Sequence, residues 1–200
     1  MKQFFLGILF IWFVYSLIIL LQHLILDTNW NLRNDISFNI IPEVIWYHLK
    51  SALTEDLLFR GILLYLLVKK IGLQKASLLS GFVFGVYHWF SYGIIGSGIV
   101  PMIFVLLSTG FMGYVWAIAY GKTNSILLGL GLHFGWNIFT TLFFTSTPYG
   151  EILFIIQESP SQMEPWITLF YLIKGFLPPL LTLIFIKIYF EPLKIDVEVN

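Results

Sequence analysis

Three residue pairs, each with at least one polar member, stand out in stretches that are otherwise apolar. Asp56 and Arg60, Phe84 and His88, and His133 and Asn137 are each four residues apart, and Glu55 directly precedes Asp56. A spacing of four puts two side chains on one face of an α-helix, so Asp56 and Arg60 can pair. Glu55 lies about 100° round the same helix and has no local counter-charge, so it needs a partner from another helix. Burial disfavours the charged form of a carboxyl group, which suits a general base working near neutral pH. A His can carry protons or bind a metal, and a His and an Asn one turn apart can both donate to a developing oxyanion. Each group also has a plainer use. Isolated His and Asn residues bond helices together in membranes, and the Asp56–Arg60 pair reads first as architecture, its mutual attraction offsetting part of the burial cost.

The elements that must position these groups are membrane helices. Hydrophobic residues make up 58% of the 200 positions and charged residues 11%, with a mean hydropathy of +0.85. Soluble domains average roughly 45–50% apolar and about 25% charged, so the polar surface needed to coat a water-facing globule is missing. The expected fold class is all-α, a polytopic membrane bundle of about six helices in one domain over 1–200. Eleven basic residues balance eleven acidic ones, which gives no electrostatic basis for nucleic-acid binding, and the absence of Cys excludes disulfides, thiolate ligands and a Cys nucleophile. The expected partners are the lipid bilayer and a peptide or protein substrate. Oligomeric state has no signal in the sequence.

Apolar runs place span 1 at about 4–26, span 2 at 42–70, span 3 at 75–90, span 4 at 99–120, span 5 at 124–145 and span 6 at 166–190. Span 1 lacks a following small-residue cleavage site and reads as a retained helix. Residues 27–41 read as a loop. Lys2, Lys69, Lys70, Lys75, Lys122, Lys187 and Lys194 fall on one side of this arrangement. The other side has Arg33 together with Glu151, Glu158 and Glu164. The positive-inside rule then puts both termini in the cytoplasm, a topology that cysteines at Ser91 and Ser146 would report.

Depth along the helices brings the polar groups together. At a rise of 1.5 Å per residue, Glu55 lies about 21 Å from Lys69 and His88 about 20 Å from Lys75. On the same measure His133 and Asn137 lie about 14 and 20 Å from Asn124. Four polar groups on three helices therefore reach similar depth. His48, seven residues before Glu55, shares its face as a rim residue, His23 reads as interfacial, and Lys50 can snorkel. Lys174, inside span 6, has no evident partner.

These residues resemble the motifs of the CPBP family of CAAX proteases and bacteriocin-processing enzymes, also called Abi. Glu55-Asp56-Leu57-Leu58-Phe59-Arg60 looks like its E-E-x-x-x-R motif, Phe84 to His88 its F-x-x-x-H motif, and His133 to Asn137 its H-x-x-x-N motif. The likeness covers about 43–145. One departure is Asp56 in place of the second Glu, one methylene shorter with the same charge. The resemblance implies an intramembrane endopeptidase in which Glu55 and His88 activate water and His133 and Asn137 stabilise the oxyanion, with Asp56, Arg60 and Phe84 in support. The family is described as metalloproteases, and Glu55, His88 and His133 would make a three-ligand zinc set with one open position. The sequence lacks H-E-x-x-H, and a metal-free glutamate mechanism is preferred. Prenylated CAAX proteins and leader-bearing or bacteriocin peptides are both open as substrates, in what reads as a bacterial plasma membrane. Two other functions compete: a non-hydrolytic scaffold or regulator of the same fold, and a small proton-coupled transporter. The transporter would show inverted repeats or broken helices, neither of which is legible in the sequence.

Overall fold

The computed structural model describes residues 1–145, 148–157 and 164–190, so Ser146, Glu158 and Lys194 lie outside the described residues. Seven α-helices occur among those described: α1 (Lys2–Leu26), α2 (Ile41–Arg60), α3 (Ile62–Ile71), α4 (Leu73–Ser91), α5 (Ile99–Thr123), α6 (Leu127–Phe143) and α7 (Glu164–Tyr189). Helices α1, α5 and α7 are long and apolar enough to cross a membrane, and α6 is a shorter apolar helix. In hydrocarbon every backbone polar group must be paired within the chain, and helices do this segment by segment. Their outward faces carry large apolar side chains such as Phe5, Leu9, Phe13, Ile99, Val100 and Ile188, all more than half exposed in the isolated chain. Such a surface belongs in lipid. The chain is an all-α membrane helix bundle.

Two features differ from the sequence expectation. The 42–70 segment is two helices, broken at Gly61. A Cβ at this position would collide with the Leu57 carbonyl oxygen, so the turn depends on glycine. A broken helix is also a feature that the transporter reading called for. The second difference is a two-stranded antiparallel sheet, β1 (Trp30–Leu32) with β2 (Phe154–Ile156), in segments expected to be loops. Arg33 donates its backbone N–H to Leu153 at 2.8 Å beside this ribbon, and its side chain pairs with Asp35 at 2.9 Å. The ribbon ties the α1–α2 connection to the chain that follows α6.

The largest helix interfaces are α4 with α5 and α1 with α6. Small residues let the backbones approach in both. A Cβ on Gly81 of α4 would sit 2.6 Å from the Gly110 carbonyl oxygen of α5, and one on Gly7 of α1 would sit 2.7 Å from the Leu128 carbonyl oxygen of α6. Between these pairs lies a core rich in aromatic residues, containing Ile11, Tyr15, Phe84, Trp116, Leu128 and Leu132.

Lys2, Lys69, Lys70, Lys75, Lys122 and Lys187 gather at one end. Lys122 Nζ donates to the Phe190 carbonyl at 3.3 Å, the α3–α4 turn meets the end of α5 through Leu73 and Gly121, and the start of α1 lies against the start of α6. Arg33, Glu43 and Glu151 lie at the opposite end with the β-ribbon, where Glu43 accepts a short hydrogen bond from Tyr149 and Glu151 a bond from Arg33 at its carbonyl.

Candidate active site

Glu55 and Asp56 are successive residues on α2, so their side chains diverge, and each finds a different neighbour. The Asp56–Arg60 pair forms as the four-residue spacing predicts, with Arg60 Nη1 2.9 Å from Asp56 Oδ1 and both side chains 2% exposed. The Arg60 guanidinium lies over the Phe84 ring at 3.9 Å and near the Trp116 ring at 5.0 Å. Aromatic faces attract a cation, and here they replace the water it has lost. The cage joins α2, α4 and α5, so Phe84 acts through Arg60 and through the shape of the core.

His133, on α6, meets both carboxylates. Its Nδ1 lies 3.4 Å from Asp56 Oδ1 and its Nε2 lies 3.8 Å from Glu55 Oε2, while the ring stacks on Trp116 at 4.3 Å. Asp56 therefore braces Arg60 and also orients the ring. Glu55 Oε1 accepts from Ser51 Oγ at 3.1 Å, and Oε2 is buried without a hydrogen-bond partner. His88 spends Nδ1 on the Phe84 carbonyl at 2.8 Å and is packed edge-on between Phe84 and Tyr92. Its Nε2 has no protein partner among the described residues.

Glu55, His88, His133 and Asn137 all line one cavity of about 730 Å³ that opens at the bundle surface. The matched depths thus correspond to side chains around a shared space. His48 lies on the wall, its Nε2 2.8 Å from Thr141 Oγ1. His23 and Lys50 do not line it. His23 Nδ1 is 3.1 Å from the Thr28 carbonyl at the end of α1. Sequence reasoning missed Tyr15 and Trp116, whose buried hydroxyl and indole N–H have no hydrogen-bond partner among the described residues; both line the cavity. Their only sequence signal is aromatic character, which twenty Phe, ten Tyr and seven Trp residues dilute.

The zinc set would draw on Glu55, His88 and His133. Among the described residues no three His, Cys, Asp or Glu side chains are gathered so as to hold a metal ion. The ring of His133 is fixed by Asp56 and Trp116, and that of His88 by Phe84 and Tyr92. No step below uses a metal.

A membrane helix bundle with a paired Asp–Arg brace and an acid–His cluster facing a buried cavity is the class these features define. A family model described as type II CAAX prenyl endopeptidase Rce1-like matches residues 37–139. That is just over half of the chain, and the protein belongs to this family, which makes it a protease by class. The match contains Glu55, Asp56, Arg60, Phe84, His88, His133 and Asn137, and leaves α1 and α7 outside. No curated protein and no solved structure matches the chain.

Proposed function

We propose that the protein is an intramembrane endopeptidase that hydrolyses a peptide bond in a membrane-associated CAAX-type or leader peptide without a metal. The observation that carries this is Glu55 Oε2, buried, without a hydrogen-bond partner among the described residues and 3.8 Å from His133 Nε2, on a residue that lines the cavity. A carboxylate oxygen with a free lone pair in a water-excluding wall is suited to take a proton from an attacking water. His88, with its Nε2 unengaged, shares that water with Glu55. Glu55, now protonated, then gives the proton to the leaving amine as the C–N bond breaks.

Asn137 and His133 are the oxyanion donors in this scheme. The Asn137 amide can donate as it stands. His133 donates Nδ1–H to Asp56, so its Nε2 carries a hydrogen only in the imidazolium form, which donates from both nitrogens. Asp56 gives that cation a carboxylate on one side and Glu55 on the other. The departure from the family's second Glu keeps this function, because the shorter side chain still reaches Arg60 and His133.

The test is cleavage of an internally quenched, farnesylated CAAX-type peptide by the protein in proteoliposomes. Glu55→Gln should lower kcat by about 10²–10⁴-fold, the range typical of a general base. Full activity in that variant would sink the reading. Dialysis against 1,10-phenanthroline should leave the rate unchanged. Loss of activity that zinc restores would overturn the metal-free mechanism while sparing the protease.

A further inference from the structure

Lys174 sits in α7 ten residues after Glu164, about 15 Å into the helix from that end. A lysine at that depth is costly unless something compensates it. Among the described residues it forms no ion pair and no hydrogen bond; its Nζ lies 3.5 Å above the centre of the Phe144 ring. An aromatic face offsets part of the desolvation of a cation but leaves its three donors unused. Lys174 and Gly175 both line the cavity that holds Glu55.

The backbone beside Lys174 also lacks its regular helical donors. Pro178 and Pro179 lie inside α7, and proline has no N–H, so the carbonyls of Lys174 and Gly175 lose their helical donors. An ammonium and two carbonyls without their i+4 donors therefore belong to two adjacent residues that line the site. The complement of this set is a carboxylate next to peptide N–H groups. A lipid phosphate would satisfy the ammonium but has no N–H to offer the carbonyls.

We propose that Lys174, with the carbonyls of Lys174 and Gly175, forms a subsite that binds the free carboxylate end of the peptide substrate. This rests on the protease reading above and adds a specificity determinant outside the family-matched region. The reach is short. From His133, beside Glu55, to Phe144, beneath Lys174, is eleven residues of α6 and its end, about 16 Å at the helical rise. An extended peptide covers that in about five residues at roughly 3.3 Å each. The scissile bond then lies within a few residues of the carboxylate.

The experiment uses the full chain in phosphatidylcholine nanodiscs and two quenched farnesylated peptides lacking Asp and Glu. One ends in a free carboxylate and the other in a carboxamide. Wild type should show a KM about tenfold lower for the acid, the worth of one charge-assisted contact. Lys174→Met should raise the KM of the acid to that of the amide, leaving kcat and the amide unchanged, and Lys174→Arg should restore most of the difference. Equal KM for acid and amide in wild type, or equal loss on both peptides in Lys174→Met, overturns the subsite. If neither peptide is cleaved, the protease reading fails, and equilibrium binding of the same pair then decides the subsite: preference for the acid that Lys174→Met abolishes supports it, and no preference overturns it. A Lys174 effect seen only in phosphatidylglycerol nanodiscs would make a lipid headgroup the ligand and also overturn it.

Discussion

At the scale of residues, Asp56 carries two duties that mutagenesis can separate. It neutralises Arg60 inside an aromatic cage and accepts from His133 Nδ1. Removing one member of a buried ion pair leaves the other charge uncompensated, at a cost of about 3–5 kcal/mol. Asp56→Ala should therefore destabilise the protein strongly in detergent unfolding. Replacing both charges removes the uncompensated ion, so Asp56→Ala with Arg60→Met should recover most of that stability. Activity should not recover, because His133 still lacks its orienting acceptor. A double variant as unstable as the sum of its singles would show that the pair is not the brace described here. A double variant with full activity would show that Asp56 does not act through His133.

At the scale of elements, close backbone contact between α4 and α5 fixes where His88 stands. Gly81 lies seven residues before His88 on α4, two turns along nearly the same face. Gly81→Val would drive its side chain into the Gly110 carbonyl and push the helices apart. Overpacking of this kind costs about 1–3 kcal/mol, and the shift should reach His88 and lower kcat. Unchanged unfolding and unchanged kcat in this variant would mean that the interface does not position the site. The helices themselves were legible because long apolar runs between polar connections leave the backbone few alternatives. The four-residue spacings were legible for a related reason, since helix geometry alone puts Asp56 on Arg60. What was not legible is what needs the third dimension. One glycine in an apolar run gives no sign that Gly61 breaks a helix. Two three-residue strands more than a hundred residues apart give no sign of pairing. Tyr15 and Trp116 look like any other lipid-soluble aromatic residues until the bundle turns them inward. Lys174 was conspicuous as a charge in span 6, and the prolines four residues after Lys174 and Gly175 are legible too, but the ring of Phe144 joins them only when α7 packs on α1 and α5.

At the scale of the whole molecule, the terminal lysines and the cavity lie at opposite ends. Lys2, Lys69, Lys70, Lys75, Lys122 and Lys187 mark one end. The cavity is lined by Tyr47 and His48 near the start of α2, by Ser91 and Tyr92 at the end of α4, and by Phe144 and Thr145 after α6. All of these belong to the end that carries Arg33 and the acidic loops. The positive-inside rule assigns the lysine end to the cytoplasm. If it holds, substrate reaches Glu55 from the outer side, and the carboxylate that Lys174 binds must be presented there. The Cys-free background makes the test clean. In intact cells a membrane-impermeant maleimide should label Ser97→Cys, in the α4–α5 turn, and should label Ser125→Cys, in the α5–α6 turn, only after permeabilisation. The reverse pattern would turn the molecule over. Cleavage would then occur on the cytoplasmic side, where nascent and prenylated chain ends are exposed, while the geometry around Glu55, His88 and His133 would stand unchanged.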